Sequence, residues 1–384
     1  MDRRRFVSAA ALGAAATAAG CGPGPGHGRR DTGQAAGVQA AGAGRPAPTV
    51  VTRPRVRWRL ASSFPRSTEI LYGGAERFAA RVAALTDGRF EVTPSEGGAL
   101  VPALQVLDAV QSGSVPVGHT AGYYYLGKRP ALTFDTAVPF GMQARQHDAW
   151  MRYGGGEDLT RRTLADFGVI NFLGGNTGTQ MGGWFRRPVR SLGDLRGLTM
   201  RIPGLGARVM ERLGAVPQTI PGGEIYGALE RGAIDATEWV GPYDDESMGL
   251  YRVVQTYHYP GWWEPGASLS FYVNRAAYDR LPPSYQEAVA TAASEANALM
   301  LSEYDARNPA ALGRLLGRGV RTVPFPDDVM RAAAAASRDL VEDLADDAHG
   351  RAVLASYRAF QDASARWFGT AELAMAAFGR GGAT

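Results

Sequence analysis

The sequence is poor in the residues that build disulfide and metal-thiolate frameworks. Its 384 residues contain one cysteine, Cys21, so no disulfide forms within the chain. It also lacks the Gly-x-Ser-x-Gly elbow of hydrolases, the nucleotide-binding P-loop and the His-Glu-x-x-His zinc motif. The five histidines are scattered and do not pair at metal-ligand spacing. These absences exclude the best-marked hydrolase, nucleotide and zinc sites.

Beyond the first 55 residues the chain carries almost no net charge. The formal charge is +4, but eight Arg and two Asp precede Val56, which leaves 41−8=33 basic and 37−2=35 acidic residues. No basic stripe is interleaved with aromatic residues, so the release of counterions that drives nucleic-acid binding has no evident source. We therefore expect no nucleic-acid partner.

The first 21 residues have the three parts of an export signal. A basic start is followed by the Ala-rich apolar stretch Phe6–Ala19 and a small-residue exit. The apolar stretch is too short to span a bilayer. Arg3-Arg4-Arg5-Phe6 resembles the twin-arginine signal, although Asp2 stands where Ser or Thr is usual. We expect a periplasmic protein, exported by the twin-arginine route in preference to the general secretory route.

The segment that follows the signal favours a tether. Ala18-Ala19-Gly20 before Cys21 resembles a lipobox without its usual Leu, so we expect a lipid anchor at Cys21. Cleavage at an Ala-x-Ala site, which would discard Cys21, is the alternative. Residues 22–55 are rich in Gly, Ala, Pro and Gln and show no apolar periodicity. Such a segment buries too little surface to offset chain entropy, so we predict a disordered tether before a folded domain at 56–384.

From Arg57 onward, short apolar runs alternate with amphipathic segments. This alternation is typical of α/β architecture. We predict strands at Trp58–Ala61 and Phe90–Val92, and helices at Thr68–Leu85 and Pro102–Gln111.

An internal repeat indicates two similar lobes. Ala109–Gly118 aligns without gaps on Ala228–Thr237, and each copy contains a helix end, a glycine stop and a short strand. The first strand leads into His119–Tyr123 and the second into Glu238–Pro242. Ligands of open α/β sheets bind at the carboxyl ends of strands. The repeat therefore predicts that these two tips, including His119, line opposite walls of one cleft.

The end of the chain is Ala-rich and mostly helical. We predict helices over Pro283–Leu316 and Asp327–Phe378, with interruptions near Gly317–Pro326 and at His349-Gly350. An Ala-rich helix with a weak apolar stripe is typical of a surface brace. The length of these helices also favours a dimer interface.

Several unusual segments occur in a fixed order along the chain. They are Gly118–Tyr125, Gly174–Phe185, Gly197–Pro203, Asp235–Asp245 and Tyr259–Glu264. Together they resemble the extracytoplasmic solute receptors of TRAP transporters (the DctP family), particularly the branch that binds 2-oxo acids. The resemblance extends from about Trp58 to the final helix.

The resemblance implies a type II periplasmic-binding-protein fold, with two α/β lobes around a cleft and long C-terminal helices. Lobe one is expected at about 56–170 with later crossover segments, and lobe two at about 171–250. The C-terminal helices are expected at about 283–380, and a homodimer is expected from the same resemblance.

Arg201 is the candidate carboxylate-binding residue. Leu198, Met200 and Ile202 alternate with it, which predicts a strand on which Arg201 points away from the apolar face. A guanidinium binds a carboxylate bidentately and keeps its charge at any working pH. Considered alone, a surface arginine is the commoner interpretation, and the resemblance to the family's carboxylate-binding arginine reverses that preference.

Gln180, Glu238 and Glu264 supply hard oxygen atoms of the kind that Na⁺ and Ca²⁺ prefer, and the carbonyl of Trp239 adds another. The resemblance assigns these four residues to an ion. Na⁺ is the preferred ion and Ca²⁺ the alternative, since some relatives carry Gln in place of Glu264.

The remaining candidates would contact the substrate. The resemblance adds Gln180 to the substrate contacts, and Asn176 and Tyr124 are candidates to hydrogen-bond a carboxylate or oxo group. Three aromatic residues are candidates for the pocket wall, with core packing as the alternative for each: Phe64, Tyr123 and Trp262.

The resulting hypothesis is a solute receptor without catalytic activity. It would capture a small organic acid, a 2-oxo monocarboxylate such as pyruvate, together with a metal ion, and deliver it to the membrane subunits of a TRAP transporter. Uptake would be driven by an ion gradient. Two alternatives remain open from the residues: a secreted metal-dependent lyase or aldolase acting on 2-oxo or hydroxy acids, and a receptor that feeds a signalling protein.

Overall fold

The structure is a computed structural model and describes residues 53–381. The predicted export signal, the anchor residue Cys21 and the tether up to residue 52 lie outside the described residues. Within residues 53–381, no helix combines the length and apolar character needed to cross a membrane.

Eleven strands and twelve α-helices are found in residues 53–381. The strands are β1 (Val56–Ser62), β2 (Phe90–Ser95), β3 (Val117–Thr120), β4 (Val169–Asn176), β5 (Trp184–Phe185), β6 (Thr199–Arg201), β7 (Val216–Gln218), β8 (Ala236–Thr237), β9 (Thr256–Tyr259), β10 (Ser268–Asn274) and β11 (Arg321–Pro324). The helices are α1 (Glu69–Leu85), α2 (Val106–Gln111), α3 (Ala144–Tyr153), α4 (Gly156–Ala165), α5 (Gly204–Arg212), α6 (Ile225–Glu230), α7 (Pro242–Ser247), α8 (Arg275–Asp279), α9 (Pro283–Gly317), α10 (Asp327–Glu342), α11 (Ala348–Phe368) and α12 (Ala374–Gly381).

The strands form two mixed sheets, one in each lobe. The five-stranded sheet has the order β2-β1-β3-β10-β4, with β10 antiparallel to both neighbours. The six-stranded sheet has the order β11-β9-β5-β8-β6-β7, with β5 antiparallel to β8 and β9. The chain passes between the sheets after β4, after β9 and through α9. The predicted two-lobed α/β fold is confirmed.

The predicted elements at the start of the domain match the structure closely. The strands and the first helix lie where the periodicity placed them, and Thr68 is the residue before α1. The helix predicted from Pro102 begins only at Val106. The strand β4 pairs along its length with β10 in the first sheet, so the chain leaves lobe one at Thr177 and not near residue 171.

The two copies of the internal repeat occupy equivalent positions in the two sheets. α2 is followed by Gly113 at φ 75 and then by β3, whereas α6 is followed by Gly232 at φ 70 and then by β8. Glycine adopts a positive φ without the steric cost that a side chain would add, so it ends each helix and turns the chain into a strand. Because β3 and β8 belong to different sheets, the two repeat copies end on different lobes.

The helix α9 ties the two lobes together. Its 35 residues make it about 50 Å long at the usual rise of a helix. Tyr285 and Val289 near its start belong to the apolar core under the five-stranded sheet, where Phe78 stacks on Phe271 with ring centroids 4.1 Å apart. Tyr304, further along, packs in the core that contains residues of the six-stranded sheet.

One prediction about the C-terminal region is confirmed and another is wrong. The predicted interruption near Gly317–Pro326 separates α9 from α10, and it contains the strand β11, which adds an edge to the six-stranded sheet by pairing with β9. The predicted interruption at His349-Gly350 is wrong, since the break precedes Asp347, whose side chain accepts the Gly350 N–H at 2.6 Å. Asp347 therefore caps α11, and the two residues lie in its first turn.

Candidate functional site

A small cavity lies where the two lobes meet. The volume that a water-sized sphere can occupy inside it is about 10 Å³, which is close to that needed by a single water molecule. Its wall is built from residues after β1 and β3, from α1, from β6, from the segment after β8, from β10 and from two crossover segments. One crossover follows β4 (residues 177–183) and the other follows β9 (residues 260–267). The lining residues are Phe64, Leu71, Tyr123, Tyr124, Thr177, Gln180, Arg201, Trp239, Val240, Ala267 and Leu269.

Arg201 at the end of β6 is 1% exposed and is held by three protein contacts. Its Nε donates to the Ile220 carbonyl at 3.1 Å, and its Nη1 donates to the Glu238 carbonyl at 3.3 Å and to the Glu238 carboxylate. The guanidinium lies 5.1 Å over the ring of Trp239. Its Nη2 has no partner, so the group is fixed in place while the two N–H donors of Nη2 remain free.

Glu238 follows β8 and is fully buried beside Arg201. Burial raises its pKa well above the ordinary range, Arg201 opposes that rise, and Glu264 and Asp245 add to it by repulsion. One carboxylate oxygen pairs with Arg201, and the other, Oε2, has no hydrogen-bond partner.

Gln180 and Glu264 come from the two crossover segments. The Gln180 Nε2 donates to Glu264 Oε2 at 2.6 Å and to Thr177 Oγ1 at 3.2 Å, while its Oε1 has no partner. The Tyr123 hydroxyl donates to the same Glu264 oxygen at 3.4 Å. Burial raises the pKa of Glu264 to about 7, against the opposing charge of Arg201. Backbone bonds join the crossovers, since Gly261 N donates to the Gln180 carbonyl at 2.9 Å.

Four buried polar atoms in this region lack partners among the described residues. Two are donors, Arg201 Nη2 and Trp239 Nε1, and two are acceptors, Gln180 Oε1 and Glu238 Oε2. A buried polar group without a partner is costly, so such atoms in one place indicate a ligand that satisfies them. Residues 53–381 hold no cluster of three or more His, Cys, Asp or Glu suited to a metal. The oxygens here are hard ligands that suit Na⁺ or Ca²⁺, with amide and carbonyl oxygens completing the set.

The opposite wall is aromatic and uncharged. Tyr123 and Tyr124 lie on the short 3₁₀-helix Gly122–Tyr125 directly after β3, with ring centroids 4.9 Å apart. Burial raises the pKa of Tyr124 to about 12, although the Arg201 charge opposes that rise. The Tyr124 hydroxyl therefore stays protonated at neutral pH and is available as a donor.

Four predicted site residues are not among those that line the cavity: Glu238 and Glu264, which contact the lining residues Arg201 and Gln180, and Asn176 and Trp262. Asn176 is engaged in a turn, where its Oδ1 accepts the Gly178 N–H at 2.8 Å and its Nδ2 donates to the Gly266 carbonyl at 3.4 Å. The ring of Trp262 stacks on Phe140 with centroids 5.3 Å apart, in an apolar core that contains residues of α3, β6 and α10. Asn176 shapes the crossover, and Trp262 packs behind the site.

Histidine 119 supports the cavity without lining it. It is fully buried, stacked on Phe271 at 4.7 Å and edge-on to Phe64 at 5.2 Å. Burial lowers its pKa to about 3, so it is neutral at neutral pH.

Five lining residues were not found from the sequence. Their apolar or small side chains are typical of any core, and no spacing distinguishes them: Leu71, Thr177, Val240, Ala267 and Leu269.

Comparison with known proteins shows which family the chain matches. Residues 61–347 match the family described as bacterial extracellular solute-binding protein, family 7 (DctP). A monocarboxylate 2-oxoacid-binding periplasmic protein of Nostoc sp. is 53% identical over 326 residues, which are 85% of this chain and 89% of the relative.

Two solved structures are similar over nearly their full length. A TRAP transporter solute-binding protein from Bordetella bronchiseptica, with copurified calcium and picolinate, has a TM-score of 0.84 and 45% identity, covering 86% of this chain and 98% of its own. A protein of the same kind from Pseudoalteromonas atlantica, with bound sodium and pyruvate, has a TM-score of 0.81 and 39% identity, covering 84% and 98%. The family match covers about three quarters of the chain, and the solved structures share its fold, so the chain belongs to family 7 (DctP) of the bacterial extracellular solute-binding proteins.

Proposed function

We propose that this protein is a periplasmic receptor that binds a small 2-oxo monocarboxylate together with a metal ion and delivers it to the membrane subunits of a TRAP transporter. The observation that carries the proposal is the set of unpartnered buried atoms on residues that line one cavity or, for Glu238, contact its lining residue Arg201. Arg201 Nη2 is a cationic donor, while Gln180 Oε1 and Glu238 Oε2 are free acceptors. A carboxylic acid bound beside a cation satisfies both kinds.

Arg201 would bind the acid's carboxylate. Because Nε and Nη1 are already held by Ile220 and Glu238, the guanidinium is fixed before the ligand arrives. A preorganised donor loses little entropy on binding. The Tyr124 hydroxyl is available for a further hydrogen bond, and the apolar side chains of Leu71 and Leu269 face the same cavity as a place for the acid's hydrocarbon part.

The metal would be held by Gln180, Glu238, Glu264 and the carbonyl of Trp239. Two buried carboxylates repel each other, which is one reason that the pKa of Glu238 is raised. A bound cation would supply the positive charge that relieves this repulsion and that attracts an anionic substrate. The relatives from Bordetella bronchiseptica and Pseudoalteromonas atlantica contain calcium and sodium respectively, and we favour Na⁺ here with Ca²⁺ as the alternative.

The coupling between metal and acid is the decisive test. If the acid contacts the ion, each raises the other's affinity by the same factor. Titrating pyruvate into chelator-treated protein, and into the same protein with Na⁺ or Ca²⁺ restored, should show affinity that rises with metal until the site is filled. Glu238→Gln should weaken binding of the ion and remove most of the dependence of pyruvate affinity on metal concentration. Substrate affinity that is independent of metal in the wild type would contradict the arrangement.

The family consists of solute-binding receptors and not of enzymes, so the alternative of a secreted lyase or aldolase is set aside.

We also propose that two copies associate through their C-terminal helices. Large apolar side chains are exposed there, with Trp367 63% and Phe378 82% accessible. The Bordetella bronchiseptica protein is described as a dimer.

Deletion of residues 369–384 tests the dimer while leaving the buried residues Leu354 and Tyr357 of α11 in place. Light scattering should show a dimer for the full chain and a monomer for the deletion variant. Monomers from both proteins would contradict the proposal.

The periplasmic location rests on the family and the relatives, and the route of export is a proposal. Mass spectrometry of protein isolated from cells should find a chain that begins at or near Cys21, carrying lipid if the lipobox is used. An intact Met1 terminus would contradict export with removal of the signal.

A further inference from the structure

Residues 238–241, which follow β8 and include the proposed metal ligands Glu238 and Trp239, are called the ligand segment here. Behind the ligand segment lies a buried aspartate that neither lines the cavity nor bonds to Arg201. Asp245 is on α7 and is 1% exposed. Its Oδ1 accepts the backbone N–H groups of Val240 and Gly241, each at 3.2 Å. Its Oδ2 accepts the Trp184 indole N–H at 2.8 Å and the Tyr257 hydroxyl at 2.6 Å.

These four donors connect the ligand segment to a rigid part of the sheet. Trp184 and Tyr257 lie on the neighbouring strands β5 and β9, where their rings stack with centroids 4.0 Å apart. Val240 and Gly241 directly follow Glu238 and Trp239, the two proposed metal ligands on this wall. The position of that short segment is therefore fixed to the sheet through one carboxylate.

The same segment is also bonded to the crossover that carries Gln180. The carbonyl of Val240 accepts the Met181 N–H at 3.0 Å. A shift of the Val240–Gly241 backbone would therefore move ligands on both the second lobe and the crossover.

We propose that Asp245 is a positioning residue of the binding site, which holds Glu238, the Trp239 carbonyl and, through Val240, Gln180 at the spacing that the acid and its cation require. This inference rests on the proposed function. An ionised carboxylate accepts several hydrogen bonds and has no donor of its own, so it suits a site where four N–H and O–H groups converge. An asparagine has nearly the same shape as aspartate, but its NH₂ group would point at one pair of these donors. Two of the four hydrogen bonds would therefore be lost.

The test compares two buried aspartates. Asp135 is also 1% exposed, and its three side-chain donors all lie on β4 and β10, away from the ligand segment. These donors are Asn171 at 3.1 Å, Ser270 at 3.1 Å and Tyr272 at 2.7 Å. Asp245→Asn and Asp135→Asn therefore make the same chemical change at the same burial, and both should lower the melting temperature.

Only Asp245→Asn should weaken ligand binding. Calorimetry with pyruvate and saturating metal, run well below both melting temperatures, should give a loss of about tenfold or more for Asp245→Asn, as two charge-assisted hydrogen bonds imply. The affinity of Asp135→Asn for pyruvate should stay within about twofold of the wild-type value, because the side-chain donors to Asp135 lie on β4 and β10. Calcium titrated alone, followed by tryptophan fluorescence, should show the same difference between the variants.

Folded Asp245→Asn protein with wild-type affinity would overturn the proposal, and so would equal losses in both variants. If Asp245→Asn does not fold, Tyr257→Phe removes a single donor to Oδ2 and should still weaken binding by about threefold, the value of one ordinary hydrogen bond. Unchanged affinity in Tyr257→Phe would then overturn it. If the wild type binds no 2-oxo acid with any metal, the proposed function fails first and the positioning role fails with it.

Discussion

After β3 the chain enters a group of neutral rings, whereas after β8 it enters a group of charges. On the first wall, His119 has a pKa lowered to about 3 by burial and Tyr124 has a pKa raised to about 12, so both are uncharged at neutral pH. On the second wall, Glu238 pairs with Arg201 in the dry interior. The same local pattern of helix, glycine and strand thus leads to opposite chemistry on the two lobes.

This difference indicates that the two walls of the cavity have different roles. Charges attract and orient a small anion strongly only where water is excluded, since a low local dielectric strengthens electrostatic contacts. The second lobe supplies those charges, and the rings of the first lobe supply the neutral surface that keeps water away. Substitutions on the charged wall should therefore have the largest effect on affinity, and substitutions behind the aromatic wall the smallest.

The largest loss is expected for Arg201→Lys. A lysine keeps the charge but lacks the planar fork with which Arg201 contacts the Ile220 carbonyl and Glu238 and, in the proposed complex, the substrate carboxylate. Charge-assisted hydrogen bonds contribute about 1.5–3 kcal/mol, so affinity for pyruvate should fall about tenfold to a hundredfold. Isothermal titration calorimetry measures this. Arg196→Lys, an exposed arginine on the same lobe, is the control and should bind normally. Unchanged affinity in Arg201→Lys would place the carboxylate elsewhere.

A smaller loss is expected for Tyr124→Phe, which keeps the ring and removes the hydroxyl. One neutral hydrogen bond is worth about 0.5–1.5 kcal/mol, so affinity should fall by about twofold to tenfold.

The neighbouring Tyr125 provides the comparison for this prediction, since its hydroxyl accepts the Leu107 N–H at 3.1 Å inside lobe one. Tyr125→Phe should lower the melting temperature without changing affinity. Equal affinity losses in the two variants would mean that the Tyr124 hydroxyl has no direct role.

No change of affinity is expected for His119→Phe, but the dependence of stability on pH should change. The folded protein holds His119 neutral with a pKa of about 3, while the unfolded chain takes up a proton near pH 6.5. The wild type therefore loses stability as pH falls from about 6.5 towards 3, by at most about 1.4 kcal/mol per unit from this residue. The variant should lack that loss.

Urea unfolding at pH 7 and pH 5 measures the difference. The free energy of unfolding should fall by up to about 2 kcal/mol more in the wild type than in His119→Phe. The packing cost of the larger ring is independent of pH and cancels in this comparison. If the free energy of unfolding changed equally with pH in the wild type and in His119→Phe, His119 would be solvated or paired in the folded protein.

The predictions from the sequence that agree best with the structure are those that depend on the pattern of residues within one short segment. The alternation around Arg201 and the helix-glycine-strand repeat both correspond to what the structure contains. Asn176 and Trp262 lie in family motifs but outside the cavity lining, because one is engaged by its own turn and the other by a neighbouring ring. Leu71 and Leu269 gave no signal, since an apolar residue that lines a cavity and one that fills a core look alike in sequence.

The sequence by itself determined the α/β class, the two equivalent strand tips and the residue types that a small anion and a hard cation need. Only the tertiary structure decided which of these groups meet. Gln180 and Glu264 are 84 positions apart and come within 2.6 Å because two crossovers run side by side between the lobes. Periodicity records which face of an element is buried, as that depends on neighbours three or four positions away. Which distant segment packs against that face depends on the shape of the whole core, and no local spacing contains it.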